Sequence, residues 1–248
     1  MKAVTYKNIP FLIPSPGIKT SARDVGMAYW WKDSIKSALT YTEQVWFVNQ
    51  FVDVEPLKVL EIFAGLGVST APLKGKIKTH IGIDHDSSSL DAFAALHDEA
   101  EAICGDSYKL APRLLTGSLF NYVLAEYNAI TTYRAFTDFK ELPLFSKLFT
   151  SDIEYVAYVD SAKVKQHLHY PRYSQFFMSP MYDSDTYVEG VANYIKRVFG
   201  YGLKAVAYDS VNYTMLFQKD AAVTLDHIVD TRTLVDLKKY KEICSADV

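Results

Sequence analysis

A chain of 248 residues is long enough for one α/β domain with a terminal appendage and for a sizeable buried core. Its formal net charge of −3 excludes a global positive field that would gather nucleic acid, and no segment approaches the roughly 18 unbroken apolar residues of a membrane span. Two distant cysteines, Cys104 and Cys244, make neither a disulfide framework nor a zinc site, and the first residues lack the apolar core of a signal peptide; both point to the cytoplasm.

In chain order, residues 1–20 hold Pro10, Pro14, Pro16 and Gly17 and read as an extended arm. Residues 22–52 are aromatic-rich and read as one or two helices carrying Tyr29, Trp30, Trp31, Trp46, Phe47 and Phe51. Arm and helices form an extension over 1–56, which either packs on the body, covers a cleft or makes a homo-oligomer contact. From Leu57 the pattern becomes alternating apolar runs and helical stretches. Strands are expected at Lys58–Phe63, Thr79–Asp84, Glu101–Cys104, Tyr122–Tyr127 and Tyr155–Val159. Between them fall a short helix capped by Ser69 or Thr70, helices at Ser87–Glu99 and Tyr108–Leu115, and a helix running to about Leu148. A polar and aromatic segment, Asp160–Ser184, precedes a helix at Tyr187–Phe199. Lys204–Asp209 and Tyr213–Lys219 are separated by three residues and must be antiparallel, since parallel neighbours need a long crossover. The expectation is a three-layer α/β sandwich over 57–220, with a mostly parallel seven-stranded sheet ending in an antiparallel pair. Residues 221–248 form a charged tail, strand or helix.

The chemistry sits at the strand ends. The first strand runs through Glu61 into Phe63-Ala64-Gly65-Leu66-Gly67, a turn whose missing side chains let the backbone approach a ligand. A nicotinamide fingerprint wants a third glycine three residues after Gly67, and Thr70 stands there instead. Asp84 closes the second strand ahead of His85, 19 residues after Gly65, where a carboxylate can take the hydroxyls of a ribose. Asp106 and Ser107 follow the third strand, and Glu126, Tyr127 and Asn128 follow the fourth. Any one of these is as readily a tight loop or a helix cap; four polar clusters on one edge of an open sheet are the pattern of a ligand cleft.

With these residues the sequence resembles the class I S-adenosylmethionine-dependent methyltransferases over roughly residues 57–220. Leu60–Gly67 is similar to that family's first motif, and the Phe-Ala-Gly-x-Gly form is similar to its nucleic-acid-modifying branches. The resemblance implies S-adenosylmethionine as cofactor. It places the methionine part on Glu61, Phe63, Ala64 and Gly65–Gly67, the ribose on Asp84 beside His85, and the adenine on Asp106 with Ser107.

The acceptor is less defined. The base-amine motif of Asp or Asn, two prolines and an aromatic is absent, because Ala125-Glu126-Tyr127-Asn128-Ala129 has no proline. Neither cysteine follows a proline, which removes the nucleophile of cytosine-carbon methylation. Glu126 can act as a general base or orient an amine, with Asn128 bonding the acceptor; both can equally serve the cofactor and the next helix. Lys163–Tyr173 mixes charge with aromatics, and Lys165, His167, His169, Tyr170, Arg172 and Tyr173 suit phosphates and stacked bases, or a solvated loop packed on the body. His167 and His169 lack a third ligand, so no metal is expected. A nucleic-acid or nucleotide acceptor is the first expectation. A small-molecule or protein acceptor is the second, and a non-catalytic binding or assembly module the third.

Overall fold

The computed structural model describes residues 2–6, 9–13, 35–117, 119–126, 142–161, 187–209 and 212–234. An antiparallel hairpin, β1 (Lys2–Tyr6) and β2 (Ile9–Ile13), stands where an extended arm was expected. Pro10 lies in β2 opposite Thr5, a position allowed on a strand that has an open edge. The hairpin packs against the helix that follows β4. Helix α1 (Ile35–Asn49) comes next. The main body then runs β3 (Leu57–Ile62), a 3₁₀ turn (Ala71–Lys76), β4 (Ile77–Asp84), α2 (Ser87–Leu96), β5 (Glu101–Cys104), α3 (Ser107–Leu114), β6 (Tyr122–Ala125), α4 (Leu142–Thr150), β7 (Tyr155–Ser161), α5 (Tyr187–Phe199), β8 (Tyr201–Tyr208) and β9 (Asn212–Lys219).

The sheet order is β10-β8-β9-β7-β6-β3-β4-β5, where β10 is Ile228–Asp230. β9 alone is antiparallel to its neighbours. The expected three-layer sandwich and terminal antiparallel pair are therefore present. The sheet has eight strands because part of the tail adds β10 in parallel to β8. Order reverses between β3 and β6, so a crevice opens at the carboxyl ends of these two strands.

One face of the sheet carries Leu57, Val59, Tyr122, Leu124 and Tyr155 under Val45 and Val48 of α1. The other carries Leu60, Ile62, Val123, Ala125 and Tyr158 under α3, α4 and α5. These alternate positions are buried on both faces, as a sheet covered by helices on two sides demands. Tyrosine is a core residue here. Tyr122, Tyr155, Tyr158, Tyr187, Tyr201 and Tyr213 are fully buried. Four of their hydroxyls have internal acceptors: Tyr122 donates to Asn49 Oδ1, Tyr155 to Asp53, Tyr187 to Asp160, and Tyr201 to the Ile153 carbonyl. A buried hydroxyl without such a partner would cost about 1–3 kcal/mol.

Candidate functional site

The register of the parallel strands brings the four expected clusters to one edge. Ile62 pairs with Ile83 and with Ala125, and Asp84 with Cys104. The residues that follow, Phe63, His85, Glu126 and Gly105, thus leave the sheet side by side. The Glu126 N–H donates to the Ile62 carbonyl at 2.9 Å, which fixes Glu126 beside the turn, with its side chain buried. Tyr127, Asn128, Lys165, His167, His169, Tyr170, Arg172 and Tyr173 lie outside the described residues.

The turn after β3 is built from three left-handed residues: Phe63 (φ +62°), Gly65 (φ +53°) and Gly67 (φ +72°). For phenylalanine that conformation costs on the order of 1–3 kcal/mol, and its ring packs edge-on against Tyr108 at 5.1 Å. Gly67 leaves no room for a side chain. A Cβ there would lie 2.6 Å from Phe93 Cδ2 and 2.9 Å from His97 Cδ2. At Gly65 nothing among the described residues comes nearer than 3.9 Å, so among them that side of the turn is open.

Asp84 is fully buried and fastens the turn: Oδ2 accepts from the Gly65 N–H at 3.0 Å, and Oδ1 from the Asp86 N–H at 3.0 Å. His85 is exposed, with Nδ1 3.5 Å from Asp84 Oδ1. Asp106 is exposed and caps α3, accepting from the Tyr108 N–H at 3.1 Å. The Lys109 ammonium beside it holds its carboxyl below the usual range, helped by the Tyr108 and Lys109 backbone N–H groups. Ser107 is buried, its hydroxyl directed at the Ile83 carbonyl at 3.5 Å.

Glu61 is fully buried on β3. Its Oε2 accepts from the Thr70 hydroxyl at 2.7 Å and from His80 Nε2 at 2.9 Å, while Oε1 has no partner among the described residues. A buried carboxylate oxygen left without a donor is costly, and such an atom marks a place where a ligand donor or cation is wanted. Thr70 was expected as a possible cap of the next helix. It makes no side-chain cap there, because its hydroxyl is spent on Glu61. α2 was expected to reach Glu99 and stops at Leu96. His97 leaves helical geometry (φ −122°, ψ 76°) and turns its ring back under the glycine turn. His97 Nε2 donates to the Gly67 carbonyl at 2.8 Å and lies 3.3 Å from Thr70 Oγ1. Burial is the main cause that holds this imidazole below its ordinary value. The His80 ring stands 4.6 Å away.

Trp46 and Asn49 of α1 reach the same turn, donating to the Val68 and Ser69 carbonyls at 3.1 Å each. For this part of the aromatic extension, packing on the body is the outcome. Trp46, Asn49, Thr70, His80 and His97 were not singled out as site residues from the sequence. Their only signal was polarity inside apolar stretches, which does not say what they touch. A cavity of about 260 Å³ opens behind His80 and His97, lined also by Ile77 and Lys78 at the start of β4. Ile77 and Lys78 lie at the opposite end of that strand from Asp84. Among the described residues, no group of three or more His, Cys, Asp or Glu could hold a metal ion. No described helix is long and apolar enough to cross a membrane.

No family model and no curated protein sequence matches the chain. Many solved structures do resemble it. The methyltransferase domain of a bacterial Hen1 protein is 12% identical, with a TM-score of 0.48, over 73% of this chain and 98% of that one. A putative RNA methyltransferase from Pyrococcus horikoshii is 15% identical, with a TM-score of 0.46, over 72% and 82%. The magnesium protoporphyrin IX methyltransferase of Synechocystis, solved with bound SAM, is 11% identical, with a TM-score of 0.46, over 76% and 82%. The topology of the chain itself is specific: five parallel strands reversing order once, then an antiparallel strand inserted beside the fifth. That order, with polar residues at four successive strand ends, is the mostly parallel α/β sheet with a terminal antiparallel strand that the sequence resemblance implied.

Proposed function

We propose that the protein transfers a methyl group from S-adenosylmethionine to a nucleic-acid or nucleotide acceptor. The observation that carries the cofactor reading is the strand-end turn: Gly65 open to a ligand, Asp84 beneath it, and Glu61 with an oxygen in want of a donor. These residues fit the cofactor. Gly65–Gly67 would take its methionine part and Glu61 would balance the ammonium. Asp84, at the end of β4 beneath the turn, would take the ribose hydroxyls. Asp106 stands at the end of the neighbouring strand, where the adenine would extend. When bound, S-adenosylmethionine supplies an electrophilic methyl group on a sulfonium. The protein's part is to hold the acceptor in line with it, so proximity does most of the work. Glu126 would orient an acceptor amine or take its proton, a role that its burial beside the turn supports.

Support for a nucleic-acid acceptor is compositional. Lys165, Arg172, Tyr170 and Tyr173 are basic and aromatic side chains of the kind that hold phosphates and stack bases. The net charge of −3 favours a second reading, a small-molecule or protein acceptor. Calorimetric titration with S-adenosylhomocysteine tests the cofactor: the wild type should bind and Asp84→Ala should bind much more weakly. Absence of wild-type binding removes the whole reading. Binding of RNA or DNA that weakens steeply with salt supports the acceptor class, and salt-independent or absent binding transfers the case to the second reading.

A further inference from the structure

The carbonyls of Gly67, Val68 and Ser69 are consecutive, and each is held by a side chain from elsewhere in the fold. His97, past the end of α2, donates to Gly67 at 2.8 Å. Trp46 and Asn49, on α1, donate to Val68 and Ser69 at 3.1 Å each. All three donors are buried, with 4%, 7% and 3% of their surface exposed. His97 also approaches Thr70, which donates to Glu61, so one imidazole is linked to both the far side of the turn and the carboxylate on β3. Its ring is wedged between Phe93 and His80, at centroid distances of 5.1 and 4.6 Å. Gly67 can approach this ring closely because it has no Cβ.

A run of three backbone carbonyls tied by three side chains is more than packing requires. A turn of this kind can satisfy its carbonyls with water at no cost in sequence, whereas here an indole, an amide and an imidazole are used and none is left over. We propose that His97, Trp46 and Asn49 are positioning residues that set the glycine turn in its ligand-receiving shape before any ligand arrives. This rests on the cofactor reading above for the identity of the ligand, but not for the effect on the turn. Donors already in place remove the ordering cost that a loose turn would levy on binding. None of the three needs to touch the cofactor.

The test uses the full chain in four variants: His97→Leu, His97→Gln, Trp46→Phe, and Phe149→Leu as a control. Phe149 is buried on the opposite face of the sheet, so its truncation lowers stability without reaching the turn. Two quantities are read: hydrogen–deuterium exchange of the peptide spanning 64–70, and calorimetric affinity for S-adenosylhomocysteine. His97→Leu should speed exchange in that peptide about tenfold or more, since it leaves the Gly67 carbonyl without its side-chain donor; Trp46→Phe should speed it by a smaller but resolved factor, because the Val68 carbonyl keeps the Ala71 N–H at 3.3 Å. His97→Gln, which keeps an N–H donor, should restore most of the protection. Phe149→Leu should leave the peptide as in the wild type despite a lower Tm. Affinity should fall in the same order, with KM for the cofactor rising and kcat changing by less than about twofold. Wild-type exchange at 64–70 in both His97→Leu and Trp46→Phe overturns the proposal, as does an equal effect in Phe149→Leu. If His97→Leu fails to fold, Trp46→Phe decides alone. A wild type that ignores S-adenosylhomocysteine while the variants loosen the turn removes the cofactor and leaves the positioning role standing.

Discussion

Two glycines two residues apart should respond oppositely to alanine. At Gly67 the new methyl meets Phe93 at 2.6 Å and His97 at 2.9 Å, in a backbone with φ +72°. The left-handed conformation costs about 1–2 kcal/mol for an L-residue, and overpacking a filled site adds about 1–3 kcal/mol. The total, about 2–5 kcal/mol, lowers Tm by about 4–20 °C in a domain of this size. At Gly65 the methyl meets nothing within 3.9 Å, so only the backbone term remains, about 1–2 kcal/mol, and Tm falls by a few degrees. The open space at Gly65 is where a ligand would lie against the main chain, and a methyl there obstructs it. Gly65→Ala should therefore lose only a few degrees of Tm yet bind S-adenosylhomocysteine at least tenfold more weakly, while Gly67→Ala should lose mainly stability. Thermal denaturation and titration calorimetry on the three proteins separate the two effects. Wild-type affinity in Gly65→Ala would refute the placement of the ligand, and a wild-type Tm in Gly67→Ala would refute the packing argument.

Other outcomes follow from the buried network. Thr70→Gly restores the glycine spacing of a nicotinamide fingerprint but removes a donor from Glu61; it should cost about 1–3 kcal/mol in denaturant unfolding and give no affinity for NAD. His97 is held below the ordinary imidazole value of 6.5, chiefly by burial. Above that value the ring is neutral whether folded or unfolded. Below it the unfolded chain takes a proton that the folded chain resists, so stability should fall as pH drops from about 6.5 toward the folded pKa. His97→Gln should flatten that slope in urea titrations between pH 7 and 5. Gly202→Ala should prevent soluble folding, since its Cβ would stand 2.3 Å from two backbone carbonyl oxygens, of Ala221 and Ala222.

The strand ends were legible because each is a local pattern: an apolar run, then Glu61 to Gly67, Asp84, or Asp106. The antiparallel β8–β9 pair was legible from three intervening residues. What escaped was set by distance along the chain. Thr70 counted against a nicotinamide, but its partner Glu61 is nine residues back, and nothing local shows a hydroxyl aimed at a carboxylate. His97 read as a helix residue, and it acts 30 residues upstream on Gly67. Trp46 was one of many aromatics in its segment, and its indole contact is 22 residues away. β10 is three residues long, too short for alternation to show. The prolines of the first 20 residues suggested an arm, yet Pro10 is tolerated within a two-stranded hairpin.

The side chains that tie the glycine turn, donors from α1 and from the segment after α2 and the accepting carboxylate at the end of β4, span residues 46 to 97. The turn acquires its shape only when all of these have docked on β3. Ligand binding and global folding are therefore linked through it. A ligand at one hundred times its Kd would stabilise the native chain by about 2.7 kcal/mol. Partial unfolding of α1, which holds the turn only through Trp46 and Asn49 on its far side, should weaken ligand binding as a change in the crevice would.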